Sequence, residues 1–236
     1  MKLDVIAMHG WSRDARTWEP WRRPTEPKGW QWQTGERGYG QLPPRAPKWS
    51  APSKEVTRLV MTRSLGTHML PAEILQLADM VVLLASFATF VPPGREGRRT
   101  RAALAGMAAC LDDEARARTM LAAFTEKMAC PQSTELLPPA PLDGPLDEAN
   151  RTRLREDLDL LRKCDGLPAG FPRNARVLIV EAGEDRIVEP EARKLLREAL
   201  PEADIVTLPE SGHALLAGDV IGLVTAWVEK QRDLFR

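Results

Sequence analysis

Short, almost unbroken apolar runs alternate along this chain with amphipathic stretches. Val5-Ile6-Ala7-Met8, Thr57–Met61, Val81-Val82-Leu83-Leu84-Ala85 and Val177-Leu178-Ile179-Val180 lack the polar–apolar alternation of a half-exposed strand. Runs of this kind suit strands buried on both faces, as in a parallel sheet. Trp30-Gln31-Trp32-Gln33 and Asp204-Ile205-Val206-Thr207-Leu208 add two further strands. Between the strands, apolar residues recur at helical spacing. The pattern predicts helices over Ala15–Arg22, from the Ser64 region through Ile74–Leu77, over Glu191–Leu200 and over Leu215–Arg232. Residues 42 to 53 are rich in proline and read as loop.

The alternation stops after Phe87. From Pro92 to about Pro172 the pattern predicts helices (Ala102–Met107, Glu114–Met128 and Asn150–Lys163) separated by proline breaks, and no strand. Strand pattern resumes at Arg176. The expected organisation is an α/β core built from 1–88 and 173–236, with 89–172 inserted as a helical lid. At 236 residues one such domain is the natural size.

Composition narrows the partners. Formal net charge is zero, which argues against a general nucleic-acid binder. No apolar run approaches the ~20 residues that span a bilayer, and the N-terminal residues do not read as a signal peptide. The three cysteines, Cys110, Cys130 and Cys164, have no metal-type spacing and read as free thiols of a reducing compartment. The expectation is a cytoplasmic protein, a monomer, with no metal, cofactor, membrane or nucleic acid.

The chemistry gathers where strands end. Thr57–Met61 leads through Thr62-Arg63 to Ser64-Leu65-Gly66, and a serine between a strand and a helix sits on a sharp turn that pushes out its hydroxyl. The usual G-x-S-x-G elbow pattern is half present, with Thr62 in place of the first glycine. Asp185 follows the strand 176–180, and His213 follows the strand 204–208. In an open parallel sheet, functional groups collect at the carboxyl ends of the strands, so all three are expected on one edge. A serine hydroxyl needs a general base, and the base needs a carboxylate to fix its tautomer. Glu181 and Glu184 are rival acids, less well placed by the pattern. Trp11, after the first strand, and Leu65, after the serine, are the candidate backbone N–H donors to an oxyanion. His9 and His68 read as structural.

These stretches together carry a resemblance. Met8-His9-Gly10-Trp11, Glu36-Arg37-Gly38-Tyr39-Gly40, Ser64-Leu65-Gly66, Gly183-Glu184-Asp185-Arg186-Ile187-Val188 and Ser211-Gly212-His213 resemble the α/β-hydrolase superfamily over essentially the whole chain. Within it the chain looks most like the bacterial pimeloyl-[acyl-carrier protein] methyl ester esterases of biotin synthesis. The resemblance implies an α/β-hydrolase fold, Ser64 as nucleophile, His213 as base and Asp185 as its orienter. The implied reaction is hydrolysis of a carrier-bound acyl methyl ester to the free carboxylate. Arg95, Arg98, Arg99 and Arg101 in the lid are candidates for steering in an acidic acyl carrier protein, and the first three share a face if 95–109 is helical. Phe87, Phe90 and Phe124 are candidates for lining an acyl channel. Alternatives are another small hydrolase of the same fold, a menaquinone-pathway lyase, or an inactive binding protein.

Overall fold

The computed structural model describes residues 2–50, 56–139, 141, 144 and 146–233. Six strands form one all-parallel sheet: β1 (Lys2–Met8), β2 (Trp30–Thr34), β3 (Val56–Arg63), β4 (Met80–Leu84), β5 (Arg176–Ala182) and β6 (Asp204–Leu208). Their order across the sheet is β2-β1-β3-β4-β5-β6. The direction of winding reverses between β1 and β3, which are paired from Lys2↔Val56 to Met8↔Thr62. That reversal opens a crevice above the carboxyl ends of these two strands, the usual ligand position in an open parallel sheet.

The continuous apolar runs follow from two-sided burial. Leu3, Val5 and Ala7 of β1 face Trp18 and the apolar stripe Val220, Val224 and Val228 of the last helix. Ile6 and Met8 point the other way, towards Ile74, Leu75 and Leu196. Helices α1 (Glu19–Thr25), α2 (Gly66–Met69), α3 (Ala72–Leu75), α7 (Pro190–Ala199) and α8 (Val220–Asp233) belong to this layered core. Between β4 and β5 come α4 (Arg98–Cys110), α5 (Glu114–Ala129) and α6 (Glu148–Lys163). Their apolar faces, including Leu104, Leu121 and Leu158, bury Trp11, Tyr39 and Leu65 at the carboxyl edge of the sheet.

Four sequence expectations need correction. The stretch after Ser64 is not one helix but two single turns, α2 and α3. Leu70 precedes Pro71 and is driven to extended backbone (φ −84°, ψ 139°), which breaks the helix there. The N-terminal helix expected at 15–22 begins as a 3₁₀ turn, Ala15–Trp18, capped by Asp14, and continues as α1. The last helix starts at Val220 rather than Leu215, which has φ 51° and cannot be helical. Helix α4 begins at Arg98, so Arg95 lies outside it. Gly94 has φ 65° and Gly97 sits so close to Pro92 O that a Cβ would be 2.0 Å from it, which fixes a turn there. Residues 51–53 of the expected proline-rich loop lie outside the described residues; 42–50 contain no helix or strand, only the isolated Glu36↔Arg45 bridge.

Candidate active site

Ser64 ends the β3 turn with φ 52°, a left-handed conformation that costs a non-glycine residue ~1–2 kcal/mol. The surroundings hold it there. Its N–H donates to Leu84 O (2.9 Å) and its carbonyl accepts from Ser86 Oγ (2.8 Å). Ser12, Ala85 and Leu215 also have positive φ, and each lies in the loop that follows a strand. Strained non-glycine residues of this kind gather at functional sites.

Two glycines bring the neighbouring loops into contact with the elbow. A Cβ on Gly10 would meet Ser64 Cβ at 3.1 Å, and one on Gly66 would meet Met8 O at 2.5 Å. The loop after β1, which carries Trp11, therefore presses directly on the elbow. Trp11 is fixed further by donation from Nε1 to Leu154 O (2.9 Å) and by an edge-on contact with Phe124. Thr62, where the elbow pattern has glycine, is fully buried, and its hydroxyl pairs with Thr67 Oγ1 at 2.6 Å. The β-branched side chain is accommodated by a hydrogen bond into the first turn of α2.

The loops after β5 and β6 are stitched together. Gly183 N–H donates to Leu208 O and Glu184 N–H to Ser211 O, both at 2.9 Å, and a Cβ on Gly183 would clash with Pro209 O. This brings His213 Nδ1 to 2.9 Å from Asp185 Oδ2, with both side chains almost wholly buried. Asp185 Oδ1 also accepts from the N–H groups of Ile187 (2.8 Å) and Val188 (2.9 Å). Burial pushes the Asp185 pKa up; the charge and hydrogen bond of His213 and the two backbone donors outweigh it, and the net shift is downward. An ionised Asp185 accepts a hydrogen bond from Nδ1–H, which leaves Nε2 as the acceptor whenever the ring is neutral.

Ser64 and His213 line one cavity of about 300 Å³, whose outer wall comes from α4 and α5. Phe90 and Phe124 line it; Phe87 packs between His68 and Phe90, its ring stacked on His68 at 5.3 Å. Arg99 stands in the lining, whereas Arg101 donates to Pro92 O and Gly94 O of the preceding loop, and Arg95 and Arg98 are exposed. Of the rival acids, Glu181 pairs with Arg197 (2.8 Å) and Glu184 is exposed. His9 accepts the Arg37 N–H at Nε2 (3.1 Å), so the neutral ring donates from Nδ1 to Gly10 O (2.8 Å). His68 contacts Phe87 O through Nε2, and burial holds its pKa down.

Sequence reasoning missed Ser86, which carries the elbow carbonyl, and the cationic wall made by Arg13 and Arg63. A polar residue two positions after β4 and an arginine beside Ser64 were the available signals. Among the described residues, no group of three or more His, Cys, Asp or Glu side chains is placed to hold a metal ion, and no helix is long and apolar enough to cross a membrane.

No family model matches the sequence, and no curated protein does either. Solved structures do match. An esterase from Exiguobacterium antarcticum superposes with TM-score 0.68 at 14% identity, over 99% of this chain and 91% of that one. A thermophilic esterase from Thermogutta terrifontis gives 0.66 at 14% identity, over 98% and 90%. The enol-lactonase from Burkholderia xenovorans gives 0.65 at 14% identity, over 99% and 91%. At this identity the likeness is one of architecture, and by architecture the chain has the α/β-hydrolase fold.

Proposed function

We propose that the chain is a serine carboxylesterase and that its substrate is the methyl ester of a carrier-bound acyl chain, the pimeloyl ester of biotin synthesis. The observation that carries the reading is the Asp185–His213 pair at 2.9 Å, whose His213 lines the same cavity as the strained Ser64. In this reading Ser64 Oγ attacks the ester carbonyl carbon while His213 Nε2 takes its proton. The N–H groups of Trp11 and Leu65 receive the oxyanion, each such donor being worth ~3 kcal/mol in the transition state. Collapse expels methanol, which carries away the proton from His213, and leaves an acyl-enzyme on Ser64. A water then gives its proton to His213 and attacks the acyl carbon. Collapse releases the acid and returns the proton to Ser64.

The apolar outer wall suits an acyl chain. Phe90, Met107, Met120 and Phe124 all contribute to it. The carrier enters through charge: Arg95, in the turn before α4, and Arg98, at its first position, are exposed, and Arg99 joins them at the cavity. Acyl carrier protein is acidic, and complementary charge raises association rates. The residues 89–172 act in this reading as the lid over the acyl chain.

A fluorophosphonate probe tests the chemistry: the parent protein is labelled and Ser64→Ala is not. An unlabelled parent protein would remove Ser64 from the mechanism. The substrate is tested separately, by complementation of a biotin auxotroph lacking the methyl esterase. Labelling without complementation would keep the esterase and reject the pimeloyl carrier.

A further inference from the structure

Most of the cavity wall is apolar, but the wall beside the elbow is cationic. Arg63 immediately precedes Ser64, is only 8% exposed, and lines the cavity together with Arg13, which is 3% exposed. Arg63 Nη1 donates to Ala214 O at 2.8 Å, next to His213 in the chain. Its Nε is buried with no hydrogen-bond partner among the described residues. Glu189 also lines the cavity, yet no ion pair joins it, or any other described carboxylate, to Arg63. Arg13 donates to the carbonyls of Pro138 and Pro139.

A buried charge costs free energy unless it is paired and hydrogen-bonded. Here burial and the neighbouring Arg13 lower the Arg63 pKa to about 10, which leaves it protonated at neutral pH. A carbonyl oxygen satisfies one donor of a fork that has five. The remaining donors suit a planar anion, which a guanidinium binds with two parallel hydrogen bonds.

We propose that this wall is a carboxylate subsite, in which Arg63, with Arg13 beside it, holds an anionic carboxyl group of the ligand next to Ser64. The proposal rests on the esterase reading of Ser64 and adds what the site retains. The carboxylate has two possible sources with one chemistry. It is either the acid released by hydrolysis, or a second acid group already present in the substrate. In the first case, turnover converts a neutral ester into an anion beside an unpaired cation. The product is then held more tightly than the substrate and slows the next cycle.

The test compares hexanoate with hexanamide, matched in size and differing in charge, by calorimetric titration of the Ser64→Ala protein. No chemistry is needed, so failure of the esterase reading does not affect this arm. Hexanoate should bind ~10-fold or more tightly than hexanamide, the range of a charged hydrogen bond. Arg63→Gln in that background should abolish the preference. Equal binding of the two ligands would overturn the subsite, as would a preference that survives Arg63→Gln in full. If circular dichroism shows that Arg63→Gln does not fold, Arg63→Lys decides: a single ammonium without the fork must shrink the preference, and an unchanged one overturns the proposal.

Hydrolysis by the parent protein separates the two sources. Monomethyl adipate favoured over dimethyl adipate places the carboxylate in the substrate. Equal kcat/KM for both esters, with competitive inhibition by hexanoate, places it in the product. A parent protein that is not labelled by fluorophosphonate but still prefers hexanoate would retain the subsite and reject the esterase.

Discussion

Replacing Asp185 by asparagine should abolish the general base while leaving the fold in place, and the hydrogen bonds show why. Oδ1 accepts two backbone N–H groups, from Ile187 at 2.8 Å and Val188 at 2.9 Å. In Asp185→Asn those donors fix the amide oxygen at the Oδ1 position. The amide NH₂ must then occupy the position of Oδ2, 2.9 Å from His213 Nδ1. An NH₂ group donates, so Nδ1 becomes the acceptor and the imidazole proton moves to Nε2. A ring protonated at Nε2 cannot take the Ser64 proton. The expected loss in kcat is ~10⁴, or ~5.4 kcal/mol at 1.36 kcal/mol per tenfold. Hydrolysis of p-nitrophenyl butyrate and the rate of fluorophosphonate labelling both read it. More than a tenth of parental activity in Asp185→Asn would refute the reasoning. So would a comparable loss in Glu184→Gln, whose exposed side chain should be silent. The same variant carries a pH signature. The folded-state pKa of Asp185 lies below its unfolded value of ~3.9, because His213 and the backbone donors outweigh burial. The stabilisation from its ionised form is therefore complete above that unfolded value and is lost as pH falls through the lower folded value. The Tm advantage of the parent over Asp185→Asn should shrink below pH ~4, as read by calorimetry.

Other outcomes follow from buried polar contacts. Thr62→Val keeps the shape but removes the 2.6 Å hydroxyl pair with Thr67, and should cost ~1–2 kcal/mol in urea unfolding; no change would mean the pair is energetically idle. Tyr39→Phe removes the 2.5 Å donor to the buried Asp157 carboxylate, and should cost ~1.5–3 kcal/mol. Burial pushes the Cys164 thiol up to about 12, so iodoacetamide at neutral pH should leave Cys164 unmodified in the folded protein, as read by peptide mass spectrometry.

The parallel sheet was legible because two-sided burial leaves a trace in composition. β1, β4 and β5 are mostly apolar, and they match the predicted runs within three residues at either end. β6 lies at the sheet edge, where Asp204, Ile205 and Thr207 are exposed. The positions of Ser64, Asp185 and His213 at strand ends were also legible, since each follows an apolar run and a turn. What could not be read was anything set by packing between distant segments. The pairing of Thr62 with Thr67 turns an apparent defect of the elbow into a contact, and only the folded backbone brings the two hydroxyls together. The strand-end pattern already favoured Asp185 over Glu181, but the partner that occupies Glu181, Arg197 of α7, is set by packing and could not be read. The helical grouping of Arg95 with Arg98 and Arg99 failed for a local reason: a turn at Gly94–Gly97, with Gly97 packed against Pro92 O, precedes α4.

The helices over the cavity are not equally free to move, and the polar contacts say which one opens. α6 is bound to the sheet side by Arg37, which reaches Asp157 at 2.7 Å, by Tyr39 on the same carboxylate, and by Trp11 on Leu154 O. α5 is bound at its C-terminal end to the loop that carries His213. Ala214 N–H donates to Met128 O (3.0 Å), Gln132 Nε2 to Glu210 O (2.7 Å), and Gly212 N–H to Gln132 Oε1 (3.2 Å). Displacing either helix would disturb the candidate site itself. The side-chain hydrogen bonds of α4, among the described residues, run from Arg101 to Pro92 O and Gly94 O, within its own preceding loop. Leu104 and its neighbours hold α4 by apolar contact alone, and such contact slides more cheaply than hydrogen bonds break. α4 should therefore be the moving wall. In hydrogen exchange followed by mass spectrometry, amides of 98–110 should exchange faster than those of 148–163, and a bound acyl ligand should slow the first set selectively. Equal protection of α4 and α6 in the free protein would refute this and require the ligand to enter without displacement of α4.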